Sequence, residues 1–295
     1  MITVLGPGRV ALDYGPTQMN IQVWGDGADS SVAEEAALYT VKVIGDLALV
    51  KSVAASAQRN LPDPLQLPDV LQRMIAAVQA SGDDDLTPMA AVAGTVADMT
   101  ADWLMAKGIP KIIVDNGGDI AIRLEDGYTA TVGIAPALNL PPTHMIRINA
   151  GDGVGGVTTS GMGGRSFTKG IASAATVIAK TAAIADACSS TIGNATTALH
   201  PAIRRVRAEE VDPLTDLVGH WVVREVGELP PETIEAALTS GWRRASELYE
   251  IGLIKGAALF IGQWGVMLPE TLAVPLSHIQ IEEGIQWKSV KSSQL

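Results

Sequence analysis

Pro88–Ile122, PMAAVAGTVADMTADWLMAKGIPKIIVDNGGDIAI, decides the fold class. Thr87 and Pro88 read as a helix start, with Thr at the N-cap and Pro in the first turn. The helix is expected to run to about Lys107 and to stop at Gly108, a residue suited to a helix C-terminus. Its opening is rich in small residues, so another backbone or a ligand can come close. Lys111–Val114 reads as a buried strand. Asn116-Gly117-Gly118-Asp119 is a strong turn signal, and Ile120–Leu124 reads as the returning strand. A helix that feeds an antiparallel hairpin argues for an α+β fold, with helices packed on antiparallel sheet.

The same pattern extends outward. Met1–Val23 is expected to form two short strands around Tyr14-Gly15-Pro16. Ser30 and Ser31, followed by Glu34 and Glu35, look like a helix start, with the helix running to about Arg59. The prolines of Leu61–Pro68 mark a connector, and a second helix spans about Val70–Ala80. Gly82-Asp83-Asp84-Asp85 lacks calcium-loop spacing and reads as a solvated turn. Downstream, strands are expected at Tyr128–Ile134, His144–Asn149 and Ala172–Ala179. Helices are expected at Ala182–Asn194 and Pro231–Tyr249, and a β stretch at Gly256–Met267. Pro230-Pro231 reads as a helix start rather than a hinge, so residues 1–295 are expected to form a single domain.

Composition narrows the partners. The chain has 295 residues, 47% hydrophobic and 18% charged, which is enough to bury a substantial core. Its net charge of −11 repels nucleic acid and anionic lipid, so neither is an expected partner. Apolar runs break before the ~20 residues of a membrane span. The first residues show no cationic start followed by an apolar core, and a cytoplasmic location is expected. Arg204, Arg205 and Arg207 are followed by acids and read as a solvated segment. With a single cysteine, Cys188, no disulfide within the chain can form, and Cys188 is expected to be a packed thiol. The Ala- and Gly-rich helices suit packing against a second copy, and a C₂ homodimer is expected.

The chemistry is expected in Gly155–Asn194, GGVTTSGMGGRSFTKGIASAATVIAKTAAIADACSSTIGN. Its opening reads as a Gly- and hydroxyl-rich loop that lets ligand phosphates approach the backbone. Asp186 and Ser190 then stand at i and i+4 on one helix face. A carboxylate and a hydroxyl one turn apart can hold Mg²⁺, which keeps waters or phosphate oxygens in the rest of its shell. The competing reading is a Gly-rich hairpin beside a packed helix whose Asp186 caps or pairs. Arg165, Lys169 and Lys180 could meet phosphates or lie on the rim. His144, His200, His220 and His278 are expected to be structural or exposed.

Three segments in order resemble the ApbE-type flavin transferases. They are Pro88–Ile122, the loop Thr159-Ser160-Gly161, and ADACSSTIG at Ala185–Gly193. The likeness is closer still to an uncharacterised ApbE-like family that lacks part of the transferase signature. Those transferases bind FAD, cleave its pyrophosphate with Mg²⁺, and move FMN onto a protein hydroxyl. The resemblance implies Asp186 and Ser190 as metal ligands. It places Gly94 where backbone closely meets metal or flavin, Gly117, Gly118 and Asp119 at the pocket wall, and Thr159, Ser160 and Gly161 at its border. It implies a flavin nucleotide or related phosphorylated small molecule, FAD or FMN, with Mg²⁺, and phosphoryl or flavin-nucleotide transfer. The transferases also carry a histidine-containing segment ending in Asp-Pro; Met162–Ala185 holds neither a histidine nor Asp-Pro. Protein flavinylation is therefore not expected. The alternatives are a non-catalytic binding or accessory protein, or an enzyme acting on an unphosphorylated small molecule in the same cleft.

Overall fold

The computed structural model describes residues 1–138, 140–164 and 166–276, and the backbone of 286–287. In chain order the elements begin with β1 (Ile2–Gly6), β2 (Arg9–Tyr14), β3 (Thr17–Trp24), α1 (Ser30–Leu49), α2 (Lys51–Ala54), α3 (Asp69–Ser81) and α4 (Val92–Ala106). There follow β4 (Lys111–Asn116), β5 (Asp119–Leu124), β6 (Thr129–Ile134), β7 (His144–Asn149), β8 (Gly156–Ser160), β9 (Ala174–Ala179) and α5 (Ala182–Ala195). The remainder comprises β10 (Ile203–Arg207), α6 (Ala208–Val211), β11 (Trp221–Val226), α7 (Pro231–Glu250), β12 (Ile254–Ile261), β13 (Trp264–Leu268) and β14 (Val274–Pro275). The fold is α+β with antiparallel sheets, as its hairpins imply. The chain groups into two compact units, the first formed by Met1–Ala130, Ile148–Thr158 and Ile178–Ala187, the second by the remaining segments.

In the first unit β1 to β5 form an antiparallel meander. The β4–β5 hairpin pairs Lys111 with Leu124 and Asn116 with Asp119. Gly117 and Gly118, at φ +69° and +102°, make its two-residue turn, because a tight hairpin needs positive φ at both central positions. Asp115 Oδ1 accepts from the Gly118 N–H at 2.8 Å and fixes that turn. Along β4 burial alternates, with Ile112, Val114 and Asn116 buried. These residues meet α4, which packs with α1 and α3 over the sheet. Leu71, Met74, Ile75, Val96, Ala97 and Leu104 fill that core together with Ile21. Each large aliphatic side chain there contributes about 1.5–3 kcal/mol by leaving water.

Four sequence expectations change. The N-terminal segment makes three strands, because Gly8, at φ +63°, adds a turn between β1 and β2. The first long helix stops at Leu49, and α4 proper starts at Val92, after a 3₁₀ turn at Pro88–Ala91. The segment expected as a glycine loop enters strand β8 at Gly156, where Ile120 pairs with Val157 and Ala121 with Gly156.

The second unit holds a three-stranded sheet in the order β14-β7-β6, the hairpin β10–β11 and the hairpin β12–β13. Sequence periodicity did not foresee β10–β11. Its strands are joined by a long segment, and charges dominate its exposed face. Arg204 pairs with Glu225 across it, both well exposed. Gly241 lets α7 lie directly against Leu259 of β12.

A candidate site at the start of two helices

The first turn of α4 has an alanine, Ala91, at its N-cap, and so no local side chain to accept its N–H groups. The acceptor comes from α5. Asp186 Oδ2 accepts from the Gly94 N–H at 2.9 Å. This approach requires glycine. A Cβ on Gly94 would overlap the carbonyl oxygen of Ala182 and stand 2.9 Å from Asp186 Cβ. Gly156 is constrained in the same way, since a Cβ there would run into the backbone of Thr181 and Ala182.

The capping is reciprocal. Asp98, on α4, accepts from the Ala183 N–H in the first turn of α5 through Oδ2 at 2.8 Å. Its Oδ1 accepts from Arg123 Nη2 at 2.9 Å. Arg123 also donates to Asp102 through Nε and Nη2, at 2.9 and 2.7 Å, and through Nη1 to the carbonyls of Ile122 and Gly155. Asp102 in turn accepts from Arg73. Asp98 is 3% exposed at its side chain and Arg123 14%, so this ion pair sits largely away from water. A buried pair of this kind holds geometry well and is strongly disruptive to break on one side.

Burial pushes the Asp186 carboxyl up to about 7; the N–H groups of Gly94 and Ala93 oppose this, and the negative Asp98 adds to it. Burial likewise raises Asp98, against the pull of Arg123 and the first amides of α5. Burial alone would raise Asp102 too, but Arg123 and Arg73 outweigh it and hold that carboxyl below its ordinary value.

Other polar groups border the contact. Asn116, the residue before Gly117, donates from Nδ2 to the Ala93 carbonyl at 3.1 Å. The buried oxygens Thr95 Oγ1, Asn116 Oδ1 and Thr158 Oγ1 have no hydrogen-bond partner in the structure. Thr95 follows Gly94. Thr158 lies on the same strand face as Gly156, which meets the start of α5.

The structure thus brings Gly94 and Asp186 into contact and ties the Gly117-Gly118 turn to α4 through Asn116. Asp119 pairs with Asn116 at the mouth of the hairpin. Ser190 lies one turn beyond Asp186 on α5 and is partly buried. Thr159, Ser160 and Gly161 belong to the second unit. There Thr159 Oγ1 meets Thr176 Oγ1 at 2.9 Å, and a Cβ on Gly161 would press on the Ser173 carbonyl. Lys180 is exposed, and Lys169 is partly buried with its backbone N–H on Asn194. Arg165 and His278 lie outside the described residues. Burial pushes the Cys188 thiol up to about 12, so it is a packed thiol rather than a nucleophile. His144 is buried beside Thr143.

Sequence reasoning missed Asp98 and Arg123. Asp98 stands at i+4 from Gly94, and an acid on the small-residue face of a buried helix was the available signal.

A family model described as AbpE bacteria matches residues 2–269. The chain belongs to that family. Relatives of this chain include a UPF0280 protein of Archaeoglobus fulgidus. It is 37% identical over 129 residues, which cover 43% of this chain and 50% of that protein. A UPF0280 protein of Methanothrix thermoacetophila is 34% identical over 172 residues, 56% of this chain and 68% of that protein. The match to the Archaeoglobus protein thus spans about half of its length. Among solved structures, the chain is similar to the apo form of the Pseudomonas stutzeri flavinyl transferase ApbE, at 17% identity and a TM-score of 0.42. That match covers 64% of this chain and 85% of the other. Within this AbpE bacteria chain, no helix of the described residues is long and apolar enough to cross a membrane.

Proposed function

We propose that this chain binds a flavin nucleotide, or a related phosphorylated small molecule, together with a divalent metal at the start of α5. Membership of the AbpE bacteria family and the ordered resemblance of three segments to flavin transferases support the reading. The observation that carries it is local: Asp186 accepts from the Gly94 N–H at the glycine backbone of α4, and the buried oxygens of Thr95, the next residue, and of Asn116, whose amide holds the Ala93 carbonyl, have no hydrogen-bond partner.

The donor chemistry fits Mg²⁺. Among the described residues no three His, Cys, Asp or Glu side chains gather as an all-protein cage. Mg²⁺ needs none, since one or two protein oxygens suffice beside waters and phosphate. Asp186 and Ser190 would hold it. A carboxylate offers about four lone-pair positions, so accepting from the Gly94 and Ala93 N–H groups leaves capacity for a cation. When bound, the ion would neutralise charge developing on a pyrophosphate. Gly94 keeps side chains out of the approach, and the Gly94 N–H fixes the orientation of the carboxylate. The absence of a histidine between Met162 and Ala185 favours binding without protein flavinylation.

Thermal shift with FAD, FMN or ADP, each with and without Mg²⁺, tests the reading. A ligand that binds only the folded state raises the melting temperature. The expected result is a rise that needs nucleotide and metal together. No rise with any of the three nucleotides in Mg²⁺ would overturn it.

A further inference from the structure

We propose that Asp98 is a positioning residue that sets the start of α5 and thereby places Asp186. The inference rests on Asp186 being the metal ligand of the proposed function. Both oxygens of Asp98 are engaged, Oδ2 by the Ala183 N–H at 2.8 Å and Oδ1 by Arg123 Nη2 at 2.9 Å. Its side chain is only 3% exposed and pairs with Arg123, so it acts through α5 rather than on a ligand. Arg123 is itself fixed to the sheet through the carbonyls of Ile122 and Gly155. The sheet thus holds Arg123, Arg123 holds Asp98, and Asp98 holds the first turn of α5.

Asp186 follows Ala183 by three residues, less than one helical turn. A register slip of one residue at Ala183 would swing Asp186 by about 100° around the helix axis. Gly94 and Gly156 bring backbone against the start of α5 from two sides, but neither glycine has a side chain to resist rotation. The Asp98–Ala183 hydrogen bond supplies that resistance from α4, beside the local bond of the Ile184 N–H to Thr181 Oγ1.

The test uses the full chain and MgCl₂, titrated with FAD, FMN or ADP present. Calorimetric titration is run on wild type, Asp98→Ala, Asp98→Asn and Leu104→Ala, with amide hydrogen exchange read at Ala183. Leu104 is a buried core residue of α4 and serves as a destabilised control. Asp98→Ala is expected to weaken Mg²⁺ binding by about 10- to 100-fold, as loss of an outer-shell partner does, and to speed exchange at Ala183. Asp98→Asn should lose less affinity than Asp98→Ala, because its carbonyl still accepts from Ala183 although its amide cannot accept from Arg123. Leu104→Ala should lower the melting temperature without moving Mg²⁺ affinity. Unchanged affinity in Asp98→Ala, or the same loss in the Asn and Ala variants, would overturn the positioning role alone. A wild type that takes up no Mg²⁺ with any of the three nucleotides present would overturn the proposed function and the positioning role together.

Discussion

At Gly94 a single added carbon has no room. Its Cβ would meet the Ala182 backbone, which cannot rotate away as a side chain could. Gly94→Ala should therefore destabilise by about 1–3 kcal/mol or more, the usual cost of overpacking, read as a lower urea midpoint. Asp186 predicts a pH effect. Its folded-state pKa of about 7 lies above the ordinary 3.8. Below both values the carboxyl is protonated in either state and contributes nothing. Between them only the unfolded chain ionises, so folding weakens as pH rises, and the loss is complete above the folded value. Asp186→Asn carries no such charge. In chelator, its melting temperature should gain on wild type as pH goes from 5 to 8. A constant difference across that range would mean that Asp186 ionises normally in the fold.

At the scale of elements, α4 and α5 each lack a complete local cap and borrow one from the other. Asp186→Ala removes the acceptor for Gly94 and should cost about 0.5–2 kcal/mol, typical of a lost N-cap. Hydrogen exchange should quicken first at Gly94, ahead of the far end of α4. Sequence made the β4–β5 hairpin legible, because alternating burial and a Gly-Gly turn are local signals. It also placed α5, expected at Ala182–Asn194 and found at Ala182–Ala195. The reciprocal caps were not legible: Asp98 and Ala183 lie 85 residues apart, and nothing in the neighbourhood of either residue names the other. Gly155-Gly156 misled for a related reason. Glycines placed for close packing against Lys180–Ala182 look, along the chain alone, like a flexible loop. The β10–β11 hairpin was hidden because its turn is long and its strands carry Arg204, Arg205 and Arg207.

For the whole molecule, the family resemblance and the missing histidine segment point in different directions, and one assay separates them. With FAD, Mg²⁺ and a Ser- or Thr-bearing acceptor protein, no covalent FMN should appear on the acceptor, while noncovalent flavin fluorescence is released on denaturation. Flavin attached to the acceptor after denaturing electrophoresis would show that other residues replace the absent segment. The acidic net charge of −11 carries a further expectation. An anionic nucleotide arriving without metal meets long-range repulsion, so association should be slower at low salt when Mg²⁺ is withheld.

The borrowed caps also bear on how the protein is made. Synthesis proceeds from the N-terminus, and domains generally fold as units as they emerge. A nascent chain whose α4 has left the ribosome, but which is still threading Lys180 through it, has no Asp186 to close the first turn of that helix. The first unit is completed only when Ile178–Ala187 arrives. Most of its apolar core is translated long before its last piece, and for that interval the unfinished face is exposed to chaperones.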